Sequence, residues 1–205
     1  MSDGVIRDVA ELEAIYGTAS EASLIKVADR VIPVYADWIR RSQLCILTTV
    51  GPEGTDGSPR GDDGPVVQIA DEKTLLMPDW RGNNRLDSLR NIVRDGRVSL
   101  MFMVPGSNNV IRVNGTGVVS VAEDMVARFN DKGRRPRSVI VITVGEVYSQ
   151  CARALIRSGT WTAGDQSEGL PSVGDMLAAM KADFDGKSYD IEWDARAAKS
   201  MWNAD

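Results

Sequence analysis

Hydrophobic and polar positions along the chain follow two periods. Between residues 44 and 147 the apolar residues come in short runs bounded by turn formers; outside that span they recur at helical spacing. LCILTTV at 44–50 stops at Gly51-Pro52, and VVQIA at 66–70 and TLLM at 74–77 flank the short connection Asp71-Glu72-Lys73. VSLMFMV at 98–104, a long segment at 109–121 and SVIVITVGEV at 138–147 complete six predicted strands. Helices are predicted at 8–16, after a Ser20 cap with Leu24, Ile25, Val27 and Ala28 facing inward, and past Pro33 to Arg41. Further helices are expected over 83–95, capped by Asn83 or Asn84, over 124–130, from a Ser149 cap to Arg157, over 172–183, where Asp175 suits a capping box, and over 188–202. Strands linked by hairpins and short helices, without β-α-β alternation, predict a small antiparallel barrel rather than a doubly wound sheet. The expected class is mainly β with flanking helices (α+β). A helical extension at 1–41, a barrel core at 42–160 and a second extension at 161–205 form one domain.

Composition narrows the function. The 205 residues carry a net charge of −5, with no basic run, so neither nucleic acid nor a membrane surface is an expected partner. The longest apolar runs, such as VIVITV at 139–144, are too short to span a bilayer, and the first residues show no apolar signal region. A cytoplasmic protein is expected, with Cys45 and Cys151 as isolated, reduced thiols. The chain contains no histidine, which excludes Ser-His-Asp and Cys-His catalysis and any histidine-ligated metal; no metal site is expected. An enzyme built from this composition borrows its chemistry from a cofactor.

Four stretches carry candidate chemistry. In DWRGNNRLDSLRN (79–91) an arginine, Arg85, falls in the first turn of a predicted helix, where the helix dipole favours acids; a bound phosphate would account for it. The same residues also fit a capped surface helix with solvated arginines. In VIRVNGTGVV (110–119), Arg112 and Asn114 share a strand face, and Gly115 and Gly117 admit a flat ligand or another backbone. An edge strand with a bulge has the same pattern. In GPEGTDGSPRGDDGP (51–65), neither a P-loop nor an EF-hand spacing is present; Ser58 and Arg60 alternate toward one face and both could donate to a phosphate, in what otherwise reads as a solvated loop. In SQCARALIRSGTW (149–161), Arg153 and Arg157 lie one helical turn apart with Trp161 beyond, a set that covers a planar ligand or simply packs a helix.

Taken in order, SPRG (58–61), LLMPDWRGNNRLDSLRNI (75–92), RVSLMFMVPG (97–106) and IRVNGTG (111–117) resemble the pyridoxamine 5′-phosphate oxidase-like family of FMN-binding split barrels, over roughly residues 40 to 160. The resemblance implies a six-stranded antiparallel split barrel, FMN as cofactor, and a homodimer with FMN at the subunit interface. By position it implies cofactor contacts at Ser58 and Arg60, and at Met77, Pro78 and Asp79 along a strand end. It places Asn84, Arg85 and Ser88 at the phosphate, Arg112 at the ring from the facing subunit, and Arg157 and Trp161 after the last strand. The oxidase that makes pyridoxal phosphate holds its substrate with a histidine and arginines near its C-terminus; this chain has no histidine and lacks that arginine-rich ending. The function expected is an FMN-dependent oxidoreductase acting on a small molecule that the motifs do not specify, with no catalytic acid or base singled out. The alternative is a non-catalytic FMN carrier or sensor, or an interaction module on the same fold.

Overall fold

A computed structural model describes residues 4–130, 133–151 and 153–201. Three helices lead in: α1 (Val9–Tyr16), α2 (Glu21–Ile25) and α3 (Pro33–Arg41). Then follow β1 (Leu44–Gly51), β2 (Gly54–Gly61), β3 (Gln68–Asp71), β4 (Thr74–Asp79), α4 (Asp87–Arg94), β5 (Arg97–Met103), β6 (Val110–Ser120), α5 (Glu123–Val126) with a 3-10 turn, and β7 (Ser138–Gln150). The chain continues into α6 (Arg153–Ser158), α7 (Val173–Met180), α8 (Gly186–Ile191) and α9 (Trp193–Ser200).

All seven strands join one antiparallel sheet in the order β2-β1-β5-β6-β7-β4-β3. The expected six-stranded barrel is therefore corrected in two respects: there is one more strand, and the hydrogen-bond ladder stays open, with β2 and β3 at its edges. The additional strand is β2, Gly-Thr-Asp-Gly-Ser-Pro-Arg-Gly, within the stretch expected to be mostly turn. It pairs residue for residue with β1, from Leu44 opposite Gly61 to Gly51 opposite Gly54. Pro59 is tolerated because β2 is an edge strand with one neighbour.

The concave face of the sheet encloses the main core. Cys45 and Leu47 of β1, Leu75 and Met77 of β4, Leu100 and Phe102 of β5, Ile111 and Val113 of β6, and Ile140 and Ile142 of β7 meet there. α3 adds Tyr35, Ala36 and Ile39, and α4 adds Ile92. On the opposite face, Leu76 and Val139 pack under Val126 of α5.

Between β6 and β7 the register slips at Asn114/Gly115, so that Asn114 faces Glu146 and Gly115 faces Val144. Gly145 is the extra residue, and the inward positions of β7 run 140, 142, 144 and then 147. Gly115 serves backbone approach rather than a ligand, since a Cβ there would overlap the Thr143 carbonyl oxygen.

Other expectations are corrected at element ends. Leu24, Ile25 and Val27 are exposed, and of that set only Ala28 packs on the core. Ser149 lies in β7 opposite Ile111 and caps no helix. The span 188–202 divides into α8 and α9, with residues beyond 201 outside the described set. The capping box at Ser172 and Asp175 is present. Among the described residues no helix is long and apolar enough to cross a membrane.

Candidate functional site

The inward face of β2 is polar. Asp56, Ser58 and Arg60 stand opposite Thr49, Leu47 and Cys45, whose side chains are buried, and so point toward the barrel interior. They are half-buried while their neighbours in the strand are exposed, a period of two that identifies the face. Met77 and Asp79 occupy the same side of β4, and Met77 is fully buried in the core. The sheet coils until β2 meets β4, although four strands separate them in the ladder. Arg60 Nη1 lies 2.7 Å from Asp79 Oδ1, and both side chains are largely buried. Alongside, Trp80 Nε1 donates to Asp62 Oδ2 at 2.8 Å, and Arg134 meets Asp63 at 2.8 Å. Side chains thus bridge the slit that the backbone ladder leaves open.

A cavity of about 930 Å³ opens at this slit. It is lined by Asp56 to Asp63 of β2 and its exit, by Pro78 to Gly82, by residues 83–89 at the start of α4, and by Arg137 and Met201. The backbone at its rim is strained: Asn84 has φ 58° and Leu86 φ 64°. For leucine a left-handed residue costs roughly 1–2 kcal/mol, and strain of this kind concentrates at functional sites. The helix starts later than expected. Leu86 takes the N-cap position of α4 and no side chain caps it, so neither Asn83 nor Asn84 does so. Asn83 Oδ1 instead accepts from the Arg85 amide at 3.1 Å, and Asn84 Oδ1 accepts from Arg137 Nη1 at 3.1 Å. The left-handed residues Asn84 and Leu86 interrupt the helix expected over 83–95, which forms only from Asp87.

The electrostatics are mixed. Arg85 pairs with Asp87 at 2.9 Å and is mostly exposed; Ser88 is buried and donates to Asp56 at 2.5 Å. Arg60 Nε is buried and has no hydrogen-bond partner. A buried guanidinium N–H without an acceptor is costly, and a bound acceptor would relieve it. Burial holds the Asp62 carboxyl above the usual carboxylate range, against the lowering effect of the Trp80 and Asp63 N–H groups. Burial also pushes the Cys45 thiol up to about 12, with the Arg60 charge opposing it, so this cysteine is inert.

Of the residues singled out from the sequence, seven line the cavity together: Ser58, Arg60, Pro78, Asp79, Asn84, Arg85 and Ser88. Met77 lies behind them in the core. Arg112 is on the outer face of β6, its guanidinium 5.3 Å from the Tyr148 ring centre and 3.4 Å from Gln150 Oε1, with Nε buried and unpartnered. Arg157 is exposed on α6, and Trp161 Nε1 donates to the Ser107 carbonyl at 2.7 Å. These three residues stand outside the cavity of a single chain. Sequence reasoning passed over Asp56, Trp80 and Arg137. Trp80 sat in a quoted motif, and the period-two polar face of β2 would have revealed Asp56, but nothing local marked Arg137. Among the described residues no cluster of acids and cysteines could hold a metal ion.

No curated protein matches the chain. Among solved structures, a variant of HupZ from Group A Streptococcus is 18% identical, covering 58% of this chain and 99% of its own, with a TM-score of 0.49. A candidate pyridoxamine 5′-phosphate oxidase of Lactobacillus delbrueckii is 20% identical, covering 59% and 95%, with a TM-score of 0.48. An F420 reductase is 17% identical, covering 58% and 98%, with a TM-score of 0.42. The family model described as pyridoxamine 5′-phosphate oxidase matches residues 32–151, the span from α3 through β7 that builds the sheet, the slit and the cavity. The chain belongs to the pyridoxamine 5′-phosphate oxidase-like family.

Proposed function

We propose that the protein is an FMN-dependent oxidoreductase whose cofactor phosphate sits in the slit cavity. The observation that carries this reading is Arg60, whose Nε is buried without a hydrogen-bond partner and whose side chain lines the same cavity as the uncapped start of α4. An oxyanion supplies the missing acceptor, and a helix N-terminus adds free N–H groups and partial positive charge. Arg60 and Arg85 hold the phosphate as planar donors, with Ser58, Asn84 and Ser88 beside them. Asp79 fixes the orientation of Arg60 through its ion pair, and Met77, packed in the core, holds Pro78 and Asp79 in position along the flavin. Bound flavin supplies the two-electron chemistry that no side-chain set here provides.

Arg112 belongs to a second surface. Its guanidinium, on the outer sheet face beside Tyr148 and Gln150, fits a contact to the ring from a facing subunit, in a homodimer with FMN at the interface. The cavity carboxylates are already engaged, Asp56 by Ser88, Asp62 by Trp80, Asp79 by Arg60 and Asp87 by Arg85, which favours a second reading as an FMN carrier or sensor.

Titration of the purified protein with FMN, followed by flavin fluorescence, tests the site. Saturable binding is expected, weakened about 10- to 100-fold in Arg85→Ala, because a hydrogen bond to a charged group contributes about 1.5–3 kcal/mol. Arg85 is exposed, so its removal leaves the fold intact. Absence of binding, or unchanged affinity in the variant, would overturn the assignment. Reduction of the bound flavin by NADH, NADPH or a reduced deazaflavin separates enzyme from carrier.

A further inference from the structure

The two leading helices are well formed and yet bury nothing. α1 has an Asp8 N-cap that accepts from the Glu11 amide at 2.8 Å and a glycine C-cap at Gly17, but no residue of α1 or α2 is buried. Val5, Ile6, Val9, Leu12, Ile15 and Tyr16 are all exposed, as are Leu24, Ile25 and Val27. Helices of eight and five residues do not persist in water on propensity alone; tertiary packing of an apolar face normally holds them.

The arm has a fixed root. Ala28 exchanges both backbone hydrogen bonds with Val147 of β7, at 2.9 and 2.7 Å. Lys73 Nζ meets Asp29 Oδ2 at 3.0 Å, and the Val31 amide donates to the Glu72 carbonyl at 2.8 Å. The arm thus departs from β7 at Val147, with Ala28 itself packed against the core.

We propose that residues 5–27 dock on a second copy of this chain, on the side that carries α6, and that the two copies exchange arms. Three observations point to that occupant. Nine large apolar side chains offer on the order of 500 Å² of apolar surface, a large part of the roughly 800 Å² that each partner contributes to a standard interface. Charge is complementary: Asp8, Glu11 and Glu13 accompany α1, which contains no base, whereas α6 carries Arg153 and Arg157 and no acid. Among the described residues neither of those arginines has an ion pair, and Ile156 between them is exposed. A two-fold pair places each acidic arm on the other copy's basic helix, so the same contact forms twice. The homodimer itself is the one already proposed above; what is added is the exchange of arms, and loss of FMN binding alone would leave that exchange standing.

Sedimentation velocity of the full chain over a concentration series tests it. The unaltered chain is expected to sediment as a dimer. Leu12→Asp with Ile15→Asp should raise the dimer dissociation constant at least 100-fold, with the far-ultraviolet circular dichroism of the sheet retained. Glu11→Arg with Glu13→Arg keeps the apolar face and should weaken the dimer about 10-fold or more; adding Arg153→Glu and Arg157→Glu should restore it. A monomeric chain overturns the proposal, as does a dimer whose dissociation constant is unchanged in the apolar variant. Charge reversal without restoration overturns the α6 side as the landing surface.

Discussion

Gly115 illustrates how one side chain's absence sets the path of two strands. The Thr143 carbonyl occupies the space where its Cβ would stand, and backbone cannot yield as the end of a flexible side chain can. Gly115→Ala should therefore destabilise the fold by about 1–3 kcal/mol, the usual cost of overpacking. Urea unfolding would show this as a lower midpoint at unchanged slope; an unaltered midpoint would mean that β7 shifts freely. Asp62 acts through its charge. Because burial raises its carboxyl in the folded state, the folded chain binds that proton more tightly than the unfolded chain. Its contribution is then most favourable below the ordinary value of 3.8 and is lost as pH rises through the raised value. Asp62→Asn keeps an acceptor for the Trp80 indole and removes the ionisation. The stability difference between variant and parent should grow in the variant's favour on going from about pH 4 to pH 7; a constant difference would contradict this.

At the scale of elements, caps and edges decide what forms. α7 begins with a reciprocal capping box: Ser172 Oγ accepts from the Asp175 amide at 3.0 Å, and Asp175 Oδ2 accepts from the Ser172 amide at 2.9 Å. Ser172 Oγ also donates to Asp190, which joins α7 to α8. Ser172→Ala should cost about 1 kcal/mol, visible as faster hydrogen exchange in α7 with β1 and β5 unchanged; uniform acceleration would contradict a local role. Backbone N–H donors hold the Asp175 and Asp185 carboxyls below the ordinary range. Their stabilisation is present above the unfolded value and is lost as pH falls through the lowered one, so α7 and α8 should loosen in acid. The Ser172 cap was legible in the sequence because its partners are three residues apart. β2 was not, because Gly, Pro and Asp carry no strand propensity and only pairing with β1 makes the segment extended. The start of α4 was placed too early because apolar spacing continues through Leu86, while the left-handed backbone at 84 and 86 leaves no trace in that spacing.

For the whole molecule, the antiparallel class and most strands follow from apolar runs and turn residues, whereas strand order and the meeting of β2 with β4 depend on how the sheet coils. Arg85 could be singled out because it sits in the first turn of the predicted helix, where the dipole favours acids, and Arg60 because it alternates with Ser58 toward one face. Arg60's partner Asp79, nineteen positions away, and Arg137 belong to the site only through that coiling. The slip at Gly145 has a wider consequence. It shifts β7 by half a pleat, so one strand presents two phases. Upstream, the phase set by Ile140, Ile142 and Val144 serves the barrel interior; downstream, the opposite parity sends Val147 inward and leaves Glu146 and Tyr148 outward. The backbone of Val147, beyond the reach of β4, is then free to grip Ala28. A single inserted glycine thereby sets the point on β7 where the leading arm leaves the sheet.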